Sequence, residues 1–221
     1  MLELVAELVP QALGLAASPL PLIAVLLMVL SPNGRGRSIG FAAGRILGVL
    51  ATVAAVAALS ELVTRGDEGT RTGSVIRLVL GAAFVLLAFS KFRARPTGTA
   101  EPKTPNWMLA LDGMSPAKAL GTGFGVTVAN PKELFFGIAA GVVIGSATLP
   151  PASLAAAVLV YAALATVTVV VPVVAYLFVG ARVQAVLEPV RAWLVRRYDL
   201  VIAIVLAVIG AVMVVKGITG L

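Results

Sequence analysis

The sequence predicts an all-α, polytopic membrane protein: six transmembrane helices forming two inverted three-helix repeats, with the first helix of each repeat broken. Three observations lead there. Hydrophobic residues make up 60% of the 221 and charged residues only 12%, and mean hydropathy is +1.05, outside the range of soluble globular chains. Apolar runs recur at 4–30, 38–63, 74–92, 117–147, 152–179 and 200–218, each compatible with the roughly 20 residues that a bilayer span requires. The first and fourth runs are interrupted, by Ser18-Pro19-Leu20-Pro21 and by Asn130-Pro131-Lys132-Glu133.

Each run has its own signature. The first begins with Glu3 and Glu7 and no basic residue; it lacks the n-region of a signal peptide and is expected to be retained as a span. Proline has no N–H to donate and blocks a helical turn, so Pro19, Pro21 and Pro131 force breaks, and Ser18 and Asn130 before them are pushed towards extended backbone. The first and fourth runs are too long for one straight helix and read as pairs of half-helices. The second run carries Arg45 well inside it, and the fifth contains Pro172, where a kink is expected.

The connections fix an orientation. Arg35 and Arg37 lie in the first, Lys91, Arg93, Arg95, Lys103 and Lys118 in or beside the third, and Arg182, Arg191, Arg196 and Arg197 in the fifth. In the second, Arg65 and Arg71 are offset by Asp67 and Glu68, and the fourth is uncharged. Basic residues mark cytoplasmic loops, so both termini of this multi-pass protein are expected outside the cytoplasm. Residues 93–116 read as a cytoplasmic linker between repeat one (about 4–92) and repeat two (about 117–219) of a single transmembrane domain, with Trp107 as an interfacial anchor. The stretch 181–198 places Val183, Val186, Leu187, Val190, Leu194 and Tyr198 opposite its arginines, the pattern of an amphipathic helix lying on the membrane or, alternatively, of a solvated connector.

Composition excludes several functions. With no cysteine and no histidine, thiol relays and soft-metal transport have no donors. The net charge of +7 sits in alternate loops, which fits an anionic leaflet rather than nucleic acid. No nucleophile–base pair, phosphate loop or metal cluster stands out, so neither an enzyme nor a cofactor is expected.

Two breaks at matching places in two halves point to a transporter's binding site. The candidate transport path is therefore Ser18, Pro19, Pro21, Arg45, Asn130, Pro131, Lys132 and Glu133. Lysine and glutamate at membrane depth require a water-lined cavity or a partner; equally, Asn130 as N-cap, Pro131 at the first helical position and Glu133 two residues on resemble a capping box. For Arg45 the alternatives, evenly weighed, are a functional charge partner, for which Glu133 is a candidate, or snorkelling to the cytoplasmic face. Asp112 and Lys118 are candidates for gating or coupling, against simple solvation. Thr166 and Thr168 either bind ligand or bond back to their own helix. Gly40, Gly44 and Gly48, and Gly137, Gly141 and Gly145, form rows at a spacing of four, for close helix packing inside the bundle or, alternatively, a homodimer seam. The closing helices also resemble each other, Leu80-Gly81-Ala82-Ala83 before Lys91 matching Ile209-Gly210-Ala211-Val212 before Lys216.

Ser18-Pro19-Leu20-Pro21 followed by Ser31-Pro32, then Ala43-Gly44-Arg45-Ile46-Leu47-Gly48, Asn130-Pro131-Lys132, and Ile209-Gly210-Ala211 through Lys216-Gly217-Ile218 together resemble the GAP/Sap family of glycolipid-addressing proteins in the lysine-exporter (LysE) superfamily. The resemblance covers most of the chain. It implies six spans in the inner membrane and participation in moving glycolipids, of glycopeptidolipid or sulfolipid type, towards the cell surface; the superfamily adds half-membrane repeats and proton coupling by analogy. The expected function is thus an exporter, or an export-assisting protein, for a glycolipid or other amphiphile, with membrane lipids and a lipid-export machinery as partners. The alternatives are an exporter of a small amino acid or cation, and a non-transporting scaffold of an export machine.

Overall fold

The computed structural model describes residues 2–32, 34–60, 78–79, 82, 85–90, 92–93, 111 and 113–219. Among them the regular structure is helical throughout: α1 (Leu2–Ala16), α2 (Pro19–Leu30), α3 (Gly34–Ala58), α4 (Pro116–Ala129), α5 (Pro131–Ser146), α6 (Pro151–Val179), α7 (Ala181–Arg196) and α8 (Tyr198–Thr219). Most of the expected third span, the linker with Trp107, and Asp112 lie outside the described residues. The contacts divide the chain into two compact units, Met1–Glu61 with Thr104–Ala192 and Leu62–Lys103 with Trp193–Leu221. The first takes the opening two expected spans of each half, and the second takes the closing ones.

Among the described residues, helices α3 and α6 are each long and apolar enough to cross a membrane, and two bent pairs bring the number of candidate spans to four when each pair is counted as one span. The chain is membrane-embedded. The pairs are α1 with α2, bent by 60°, and α4 with α5, bent by 72°. Both breaks fall where the prolines require them. Ser18 (φ −88°, ψ 110°) and Asn130 (φ −87°, ψ 116°) adopt nearly the same extended conformation, each followed by proline at the start of the next helix. Pro172, expected as a kink, sits inside α6 without ending it, and α6 closes at Gly180, whose φ of +63° is a left-handed conformation suited to glycine.

Helix α3 is the spine of the first unit. A Cβ at Gly40 would meet the Pro116 carbonyl oxygen, and one at Gly44 would run into that of Leu120, while Gly123 of α4 faces Phe41 in return. Further along α3, Gly137, Gly141 and Gly145 of α5 receive Thr52, Val56 and Ala57. Both glycine rows are therefore spent on close packing inside the bundle, the first of the two roles their spacing allows.

Two apolar clusters fill the unit. One joins Leu4, Leu8, Ala12 and Leu15 of α1, Val49 and Val53 of α3, Ala140 and Ile144 of α5, and residues from Ala157 to Ala165 of α6. The other joins Ala24 to Val29 of α2, Phe41 and Ala42 of α3, Ala119 of α4, and Val169 and Val173 of α6. The first bent pair and α6 thus run from the former cluster to the latter, and α3 and the second bent pair run the opposite way. Outward faces remain apolar, with Leu159, Val171 and Phe178 of α6 exposed, as a lipid-facing surface demands.

In the second unit, α8 forms a continuous helix of 22 residues, and residues 85–90 are helical. Helix α7, which belongs to the first unit as far as Ala192, leaves Val186 and Val190 exposed, with Arg191 paired to Glu188 at 2.7 Å.

Candidate functional site

All four candidate spans change from one apolar cluster to the other at polar residues: Ser18 between α1 and α2, Arg45 in α3, Thr127 to Glu133 between α4 and α5, and Thr166 and Thr168 in α6. Ser18, Arg45, Thr127, Lys132, Glu133 and Thr166 are buried, with Asn130 and Thr168 half-buried beside them, and together they make up a polar band. Arg45, Glu133 and Lys132 are 0%, 1% and 6% exposed, so Arg45 does not snorkel.

Breaking a helix leaves carbonyls without intrahelical donors, and the band supplies replacements for α1. Arg45 Nη2 donates to the Leu15 carbonyl at 3.4 Å, and Thr168 Oγ1 donates to that of Ala16 at 2.8 Å. At the other break, Asn130 Oδ1 accepts the Lys132 backbone N–H at 3.0 Å, an N-cap. Glu133 does not close a capping box: its Oε2 accepts from Arg45 Nη1 at 2.6 Å. The same Nη1 lies 3.5 Å from Thr127 Oγ1, whose hydroxyl donates back to Gly123. Arg45 therefore ties both breaks together, one through a backbone oxygen and one through a carboxylate.

The pairing of charges is incomplete. Lys132 Nζ, Arg45 Nε and Glu133 Oε1 are buried without a hydrogen-bond partner. The Lys132 ammonium lies 6.0 Å from the Phe136 ring centroid and within electrostatic reach of both Glu133 and Arg45. Phe136 is itself held by the Tyr161 hydroxyl, which donates to its carbonyl at 3.2 Å. The arrangement offers two buried cations, one anion and the N-terminus of a 16-residue helix, whose N–H dipoles favour negative charge.

Of the residues singled out by sequence, Arg45, Lys132 and Glu133 converge, Asn130 caps the half-helix beside them, and Ser18, Pro19 and Pro21 are buried at the other break. Pro131 is exposed on the outer side of its turn. Lys118 lies in the first turn of α4, the end remote from the break, and is exposed. Thr166 bonds back to Ala162 at 2.7 Å. The sequence reading passed over Leu15, Thr127 and Tyr161. A threonine one turn before a helix break, and a tyrosine well inside an apolar span, were the available signals.

The family model described as Sap, sulfolipid-1-addressing protein, matches residues 8–219. No curated protein and no solved structure matches the chain.

Proposed function

The chain belongs to the Sap family of sulfolipid-1-addressing proteins, and from that premise we propose that it moves, or helps to move, a glycolipid or similar amphiphile across the inner membrane towards the cell surface. The observation that carries this reading is the buried band in which Arg45 joins two broken spans of opposite direction. Such breaks place unpaired backbone groups and helix ends at mid-membrane, where a transporter binds its substrate. A polar head held at the band with acyl chains left in lipid matches an amphiphile better than an amino acid or cation would.

The architecture belonging to this proposal is six spans in two inverted repeats, of the lysine-exporter type, with both termini outside the cytoplasm and α7 lying on the membrane surface. The matched dihedrals at Ser18 and Asn130, and the opposite directions of the two bent pairs, support it. In this account the ion pair holds one closed arrangement of the half-helices, and rocking about the two breaks exposes the band to either leaflet in turn. The role is movement rather than catalysis.

Reconstitution tests it. Vesicles holding the purified chain should move a fluorescent sulfated glycolipid between leaflets, and Glu133→Gln and Lys132→Gln should abolish that movement. Undiminished movement in both variants would contradict the role given to the band. Glycolipid that stays put while an amino acid or cation crosses would replace the substrate class, and no movement of any solute would favour a scaffold.

A further inference from the structure

We infer that Phe136 closes the polar band on the side of the first apolar cluster, by seating its ring on Gly14 of α1. This role rests on the proposed transport function and adds a gate to it.

The two half-helices on that side meet directly. Helix α1 packs against α5, whereas α2 packs on α3 and α6, and α4 on α3 and α5. Phe136 lies one turn beyond Lys132 on the same helix face, and Gly14 lies four residues before Ser18. A side chain joining these two positions therefore bridges the two breaks at the edge of the band. The Phe136 ring does so: a Cβ at Gly14 would run into its Cζ, Cε1 and Cε2, so the seat exists because the residue is glycine. On its other side the ring has the Lys132 ammonium 6.0 Å from its centroid. That ammonium is buried without a hydrogen-bond partner, and the negative face of the ring supplies part of what it lacks.

The ring differs from its core neighbours in its freedom to move. Phe136 is half-buried at the edge of the first cluster, while the backbone that carries it is tied to α6 by the Tyr161 hydroxyl, which donates to its carbonyl at 3.2 Å. Contact with α1 is made by the far end of the side chain. The ring can therefore leave Gly14 by changing rotamer, ahead of any rocking of the helices. Its departure opens the band beside Ser18 and Lys132 together, since each lies one turn from the contact.

The test reads access to the band, with no substrate present. Ser18 is 3% exposed and makes no capping bond through its side chain, and the chain has no cysteine, so Ser18→Cys in the full chain is a near-isosteric reporter. Its modification by a membrane-impermeant, cationic methanethiosulfonate is followed in intact cells and in inverted membrane vesicles. Alone, the reporter should react slowly in cells. Phe136→Leu keeps an apolar side chain but no ring, and Gly14→Ala keeps the ring but fills its seat. Each should raise the rate in cells by on the order of tenfold, the shift that loss of one aromatic contact produces, and leave the rate in vesicles unchanged. Weakening the contact from both partners separates closure from a folding defect in either variant. Fast modification of the reporter alone in cells, an unchanged rate in both variants, or an equal rise from both sides would overturn the inference. A rise confined to the inverted vesicles would support the closure and contradict the orientation given to the chain. The expected rise in a chain that moves no glycolipid would uphold the gate and contradict the proposed substrate.

Discussion

Arg45 and Glu133 stand 88 residues apart in the chain and 2.6 Å apart in the fold. Neither side chain reaches solvent. Taking one partner away leaves a lone buried charge, whereas replacing both with apolar groups removes the desolvation cost along with the attraction. Arg45→Met or Glu133→Leu alone should therefore destabilise the protein by about 3–5 kcal/mol. The pair Arg45→Met with Glu133→Leu should lose far less than the singles combined. Thermal unfolding in detergent checks this, and additive losses would show that the two side chains are not coupled.

The helix contact behind that pair is equally testable. At Gly44 a methyl group would run into the Leu120 backbone oxygen of α4, whereas at Gly121 nothing lies within 4 Å. Gly44→Ala should force α3 and α4 apart and cost about 1–3 kcal/mol. Gly121→Ala should leave the melting temperature unchanged or slightly raised, since alanine is the better helix former. Equal effects at both positions would place the tight face of α4 elsewhere.

Two threonines on α6 separate a tertiary bond from a local one. Thr168 ties the end of α1 by its bond to Ala16, and Thr166 only returns to its own helix. Thr168→Val should cost about 1 kcal/mol and Thr166→Val less, as read from unfolding midpoints. The reverse order would mean that α1 is held by other contacts.

Because the chain has no cysteine, single cysteines can report orientation without background. Arg35→Cys and Thr148→Cys both replace exposed residues. In intact cells a membrane-impermeant maleimide should label Thr148→Cys from outside, and Arg35→Cys only after the membrane is opened. Labelling of both from one side would refute the alternation of basic loops.

Much of this arrangement was legible in the sequence because it rests on local chemistry. Proline cannot continue a helix, so Pro19 and Pro131 dictated where the spans break. Glycine at every fourth position dictated a close-packed face on α3 and another on α5. What local chemistry does not carry is which surface meets which. Nothing around Gly44 names Leu120 as its neighbour, and the choice between bundle packing and a dimer seam needed the fold. Glu133 was expected to pair with Arg45 or to close its own helix cap; the geometry gives it to Arg45 and leaves the cap to Asn130. Leu15 and Ala16 escaped notice because they contribute backbone oxygens, and a carbonyl freed by a break has no side-chain signature. Lys118 looked suited to gating from its closeness in sequence to the fourth run, yet a whole half-helix separates it from the break.

The most direct trial of the account asks where a glycolipid sits on the protein. A sulfated glycolipid with a photoreactive group near its head can be cross-linked to the chain in nanodiscs and mapped by mass spectrometry. The account predicts label on the peptides spanning Ser18 to Pro21 and Asn130 to Glu133, reduced by Lys132→Gln. Label confined to outward-facing residues such as Val171 and Phe178 would contradict it.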